Sequence, residues 1–198
     1  MKKRISLFLI VLITGCTPFW QTKPGESPDV LWQQRQAQQA ELKTWAFKGR
    51  TAIIQGREGW NAGIHWEERE QDFHIKLSGP FSQGGVALDG NPQEVTLTLS
   101  DGETLTAETP EQLLAEAMGW LLPVSALRDW VRGVPYSAVP VDSQQLDQQG
   151  RLTKLEQSGW QIEFLRYMPF ESYSMPGKVF MKHDQLSVRL IVSDWRRP

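Results

Sequence analysis

From Trp45 onward, apolar side chains recur at every second position. Trp45, Phe47, Thr51 and Ile53 fall on one side, with Lys48 and Arg50 on the other, the period of a half-buried strand. Gly56-Arg57-Glu58-Gly59 reads as a turn. The next strand sets Trp60, Ala62, Ile64 and Trp66 against Asn61, His65 and Glu67, the cleanest alternation in the chain. Glu67 to Asp72 reads as a charged, solvated turn, after which Phe73, Ile75 and Leu77 resume the pattern. Val86 and Leu88, then Val95, Leu97 and Leu99, then Leu105 continue it across Gly90-Asn91-Pro92 and Asp101-Gly102 turns. The first half is therefore expected to be an antiparallel meander.

Helical signals flank and interrupt this pattern. Ser27 as N-cap and Pro28 in the first turn predict a polar helix running to Leu42, with a thin apolar face of Leu31, Gln34, Ala37 and Leu42 and a Gln-rich flank toward water. Thr109-Pro110-Glu111-Gln112 has the form of a capping box before Leu113, Leu114, Ala117 and Met118. A third helix is expected from Ser125 to Arg132, burying Leu127, Trp130 and Val131 and ending at Gly133 with Pro135 beyond. Strands then resume over Arg151 to Gln157, Trp160 to Met168, Lys178 to His183 and Leu186 to Val192, with Pro169 to Gly177 as a loop. Ten or eleven twisted strands must curl or close, and the amphipathic helices are the available cover. Inward tryptophans at 45, 60, 66 and 160 either fill a plain core or line a pocket; alternation allows both.

The beginning of the chain follows another logic. Lys2, Lys3 and Arg4 precede the apolar run Ile5 to Ile13, about half the roughly 20 residues a spanning helix needs, so residues 1–15 read as a signal peptide. Ile13-Thr14-Gly15-Cys16 resembles the lipobox of bacterial lipoproteins, which implies cleavage before Cys16 and lipid on its sulfur and amine. Cys16 is the only cysteine, so no internal disulfide can form. One acyl chain anchors only marginally, and two or more are needed for a stable attachment. Thr17 stands where lipoproteins kept in the inner membrane usually carry aspartate, so the resemblance implies sorting to the outer membrane. Residues 16–28 are Pro-, Gly- and Ser-containing and read as a tether spanning roughly 20 Å. Residues 29–198 suit one domain, expected as a monomer.

Composition narrows the function. A net charge of -2 with 22% charged residues, and no basic cluster interleaved with aromatics past the signal, speaks against nucleic acid. His65, His74 and His183 are isolated and no nucleophile or metal motif accompanies them, so neither catalytic residues nor a metal or other cofactor is expected. Gly79-Pro80-Phe81-Ser82-Gln83-Gly84-Gly85 sets a large aromatic among turn formers. Phe81 either projects toward a membrane or partner, against a hydration penalty of about 1.5 to 3 kcal/mol, or folds back onto the domain.

Several of these features occur together and in order. The lipobox, the helix leading to Leu42 and Trp45, the strand with Trp66 and the Gly79-Pro80-Phe81 loop come first. Pro123-Val124-Ser125-Ala126-Leu127-Arg128-Asp129-Trp130, Gly133-Val134-Pro135, Met175-Pro176 and Asp194-Trp195 follow. In this the chain resembles the LolB family of outer-membrane lipoprotein receptors over nearly its whole mature length. The resemblance implies an unclosed antiparallel β-barrel with a helical lid over an apolar cavity that accepts lipoprotein acyl chains from the periplasmic carrier LolA. It implies an outer-membrane location facing the periplasm, and Phe81, Pro80 and Gly79 as a membrane-insertion loop in which Phe81 replaces the usual leucine. Trp45, Phe47, Trp60, Trp66, Phe73, Trp130 and Trp160 are the expected cavity aromatics. The rival expectation is a structural envelope lipoprotein with a filled core.

Overall fold

Ser27 caps the first helix: its hydroxyl accepts the Val30 amide at 3.4 Å and Pro28 occupies the first turn of helix α1, Pro28–Ala40. The computed structural model describes residues 25–79 and 85–198; Cys16, Pro80 and Phe81 lie outside them. The face that α1 buries is Trp32, Arg35 and Gln39; of the expected Leu31, Gln34, Ala37 and Leu42, Gln34 and Ala37 are exposed, while Leu42 is buried just beyond the helix end. Trp32 carries the apolar burial of that stripe. The Arg35 guanidinium donates to the Ser174 carbonyl at 2.6 Å and lies over the Tyr167 ring, so its outer nitrogen is partnered inside while Nε is buried without a partner. The helix sits directly on the turn before Arg151: a Cβ added at Gly150, φ +64°, would come within 2.5 Å of the Leu31 Cβ.

Eleven strands follow the alternation. They are β1 Thr44–Gln55, β2 Glu58–Arg69, β3 Asp72–Ser78, β4 Gly85–Gly90, β5 Val95–Thr98 and β6 Thr104–Ala107, then, after two helices, β7 Ser143–Leu146, β8 Leu152–Gln157, β9 Trp160–Phe170, β10 Tyr173–His183 and β11 Leu186–Arg196. All belong to one antiparallel sheet in the order β6-β5-β4-β3-β2-β1-β11-β10-β9-β8-β7. β1 and β11 meet in the middle, and β6 and β7 are unpaired edges, so the barrel stays unclosed. The intervening helices are α2 Pro110–Met118 and α3 Val124–Trp130.

Two sequence expectations are corrected along the strands, and one strand is new. Pro169 to Gly177 is not a loop but the end of β9, a turn at Glu171 with φ 50°, and the start of β10. The prolines fit because β8 pairs with β9 only as far as Glu163, and the β9–β10 register slips at Pro176, positions where a missing N–H costs no ladder bond. Glu67 to Asp72 is not a solvated turn as a whole: β2 runs on to Arg69, and Glu68 is 3% exposed. It extends the inward series of Trp60, Ala62, Ile64 and Trp66. β7, of sequence Ser-Gln-Gln-Leu, is an exposed edge strand with only Leu146 partly covered, so it carries no alternation to read.

The helices are also capped differently. Thr109 accepts the Gln112 amide at 3.3 Å, but the Gln112 side chain turns to Glu116 at 3.0 Å, so half of the capping box forms. α3 has no cap of its own. Glu111 of α2 accepts the Ser125 amide at 2.7 Å, which ties the two helices together.

Candidate ligand-binding site

The inner face of the sheet and the two central helices enclose an apolar hollow. Ile53, Ile64 and Trp66 from β1 and β2, Ile75 and Leu77 from β3, Val86 and Leu88 from β4 and Leu97 from β5 form one wall. Met181, Val188 and Leu190 from β10 and β11 extend it, while Leu114, Leu122, Val124, Leu127 and Val131 on or beside the helices form the roof, with Trp120 at one side. Thr51 is the sole hydroxyl among the lining side chains. The free volume is about 70 Å³, well below the roughly 300 to 1,000 Å³ of ligand clefts. With the helices seated as they are, the hollow holds only a few methylenes.

Polar contacts hold the roof unevenly. α3 is fixed firmly. Arg128 donates to both Glu68 oxygens, from Nε at 2.9 and 3.0 Å. Trp130 donates its indole N–H to Gln157 at 2.9 Å, and Arg132 donates to the carbonyls of Gln39 and Leu42. Gln157 is wholly buried, and its amide also donates to the carbonyls of Tyr136 and Val139. Burial pushes the Glu68 carboxyl above its ordinary range, against the pull of Arg128 and the Trp66 indole N–H. α2 is held lightly. Among the described residues, one polar bond joins α2 or its following loop to the sheet, from Gln55 to the Gly119 carbonyl at 3.3 Å.

Of the seven aromatics expected at the cavity, Trp66 lines it. Trp45 and Phe47 sit in a cluster with Trp195, at centroid distances of 5.5 and 5.0 Å, which fills one end of the barrel. Trp130 packs on Trp160 at 5.7 Å. Phe73 lies under the Arg128 guanidinium at 5.3 Å. Trp60 packs against Trp120 at 5.3 Å. Gly79 leaves β3 half-buried. The hollow is thus lined mostly by branched aliphatics, which strand parity had placed inward but which the weight given to aromatics passed over. Broad rings fill space, whereas shorter side chains facing one another leave it.

No helix among the described residues is long and apolar enough to cross a membrane, and no group of three or more metal-ligating side chains is placed to hold an ion. A family model described as outer membrane lipoprotein LolB matches residues 43–195. The chain belongs to the LolB family. A protein of that name from Nitrosococcus oceani is 40% identical over 98% of this chain and 97% of its own length. Another, from Halorhodospira halophila, is 34% identical over 96% and 93%. Among solved structures, a LolA superfamily protein from Nitrosomonas europaea superposes with a TM-score of 0.53 over 88% of this chain and 94% of its own, at 7% identity. A DUF1329 family protein from Desulfovibrio piger superposes at 0.55, with 6% identity, over 87% and 94%. At such identities the likeness is one of fold, and it matches the LolB family sheet described above.

Proposed function

We propose that this protein is an outer-membrane receptor for lipoproteins, held to the periplasmic face by lipid on Cys16, that accepts acyl chains from the carrier LolA and delivers them to the outer membrane. The observation that carries this reading is the apolar hollow between the sheet and the α2–α3 roof, with Thr51 as the one hydroxyl among its described lining residues. A long acyl chain buried there is worth on the order of 10 kcal/mol, at about 0.8 kcal/mol per methylene. Such a ligand does not escape into water, so transfer runs by differential affinity, tighter than the donor and weaker than the bilayer.

The resting volume of about 70 Å³ requires the roof to rise as a chain comes in. Rising exposes apolar surface, which keeps the empty receptor shut and tempers its affinity. A scaffold with a filled core would need no such space. The test mixes a radiolabelled lipoprotein bound to LolA with this protein bearing Cys16→Ala and follows which protein holds the label. Movement of label to this protein is expected; label that stays with a competent donor would replace the receptor by the scaffold.

A further inference from the structure

The roof is unevenly fastened, and its loose side meets the solvent at one residue. An open groove of about 550 Å³ lies at the end of the sheet where β1 turns into β2, lined by Gln55, Arg57, Trp60, Met118 and Trp120 among others. The apolar hollow shares part of this lining. Ile53 and Trp120 line both spaces. Ile53 belongs to the sheet and is 5% exposed, so the indole of Trp120 is the movable part of the partition. It leans on Trp60 with 5.3 Å between ring centroids and 52° between planes.

The backbone around Trp120 is suited to movement. Gly119 ends α2 in the left-handed conformation, φ 70°, and a Cβ placed there would meet nothing within 4 Å. Among the described residues, the loop from Gly119 to Pro123 makes one polar bond to the sheet, from Gln55, beside the apolar contacts of Trp120 and buried Leu122, whereas α3 beyond it is tied to Glu68, Gln157 and Gln39. Leu121, next to Trp120, is 75% exposed, a large apolar side chain standing in water beside the groove. A loop with few fixed contacts opens locally at low cost.

We infer that the Trp60–Trp120 pair is the door of the apolar hollow, through which an acyl chain passes from the groove when Trp120 and the Gly119–Pro123 loop swing aside. This rests on the acyl-binding reading above and adds the route and the residues that control it. α2 and α3 stay joined through Glu111 and the Ser125 amide, and the loop between them is the part that swings. Leu121 offers the chain its first apolar contact, and the Trp120 side chain then merges groove and hollow into one continuous channel. A door differs from a wall in what it controls. It sets the rates of uptake and release together, more than it sets their ratio.

The experiment uses the chain with Cys16→Ala, which keeps every residue of the core, and a dansyl-labelled fatty acid followed by stopped-flow fluorescence. With Trp120→Ala, uptake and release are both expected to accelerate by about tenfold, a change in rate larger than the change in equilibrium affinity to which Trp120 contributes as part of the hollow's lining. In the same background, Trp60→Cys with Trp120→Cys supplies the only two thiols. Joined by a disulfide or a short bis-maleimide, they are expected to stop uptake, and reducing the disulfide restores it. Uptake at the unlinked rate through a verified cross-link would overturn the door. So would a Trp120→Ala chain with weakened affinity and unchanged uptake, since that is the behaviour of a wall. If the parent chain binds no probe at all, the acyl reading itself falls, an outcome separate from either of these.

Discussion

Arg128 of α3 grips Glu68 of β2 through both carboxylate oxygens, while Glu68 accepts the Trp66 indole N–H at 2.9 Å. The carboxylate is almost wholly buried and the guanidinium about one-third exposed, so the two partners are not equivalent. Removing Arg128 strands a charge inside, whereas removing the charge of Glu68 leaves an arginine that can still reach water. Arg128→Ala is therefore expected to cost about 3 to 5 kcal/mol at neutral pH, and Glu68→Gln about 1 to 2.

The pH dependence of that difference follows from the direction of the Glu68 shift. Its folded pKa is raised by burial, so ionisation is disfavoured by the fold, and the cost is relieved as pH falls through the folded pKa toward the unfolded value. Without Arg128 the folded pKa climbs further. The stability deficit of Arg128→Ala should shrink as pH falls from neutral toward 5, and urea melts at a series of pH values measure it. A deficit that stays constant would mean that Glu68 remains ionised without its partner.

Gly90 on β4 faces Phe73 on β3 in register, and a Cβ there would lie 2.2 Å from the Phe73 ring. The ring cannot retreat, because the Arg128 guanidinium lies over it at 5.3 Å. Gly90→Ala should cost about 1 to 3 kcal/mol by overpacking. Adding Phe73→Leu should return part of that loss, a coupling that a double-mutant cycle reads directly. Simple additivity would show that the strand shifts to make room.

What the sequence made legible was the part governed by a period of two. Inward positions from Trp45 to Leu97 could be numbered because each strand buries one face, and even Glu68 sits where the parity of Trp60, Ala62, Ile64 and Trp66 continues. Its charge disguised it. The Pro169 to Gly177 segment was hidden for the opposite reason: Pro169, Pro176 and Gly177 break strands in general, and only the pairing pattern reveals that two of them stand where no ladder bond is required. The buried face of α1 depends on Arg35 and Gln39 finding partners in Tyr167, Ser174 and Met175, more than a hundred residues away. The cavity was legible as an apolar interior but not as a space. Free volume depends on which side chains oppose each other across the barrel, and alternation is silent on that.

Phe81 lies outside the described residues, but Gly79 before it leaves β3 toward the end of the sheet that carries the β1–β2 turn, since Ser78 pairs with Gly63. The proposed door opens at that same end. Phe81→Glu is expected to leave uptake from LolA intact and to impair release into outer-membrane vesicles, because a carboxylate resists insertion where an aromatic does not. Phe81→Leu keeps the chemistry apolar and should be nearly silent. Unchanged incorporation with Phe81→Glu would remove the loop from delivery.

A substitution that fills the hollow separates capacity from fold. Val86 on β4 lines the cavity and is only half-buried, so a larger apolar residue there can grow into the free space of about 70 Å³. Val86→Phe adds roughly that order of volume without a polar group. Because the ring grows into free space rather than against packed neighbours, the loss of stability should stay below the range of about 1 to 3 kcal/mol typical of overpacking. Acyl-probe affinity should fall by about tenfold or more, because a chain must then displace the new ring as well as lift the roof. Leu165→Phe serves as control, on a side chain 50% exposed and absent from the cavity lining, and should leave binding unchanged. If Val86→Phe binds the probe as the parent does, the chain lies elsewhere, and the apolar hollow is a packing defect of the barrel.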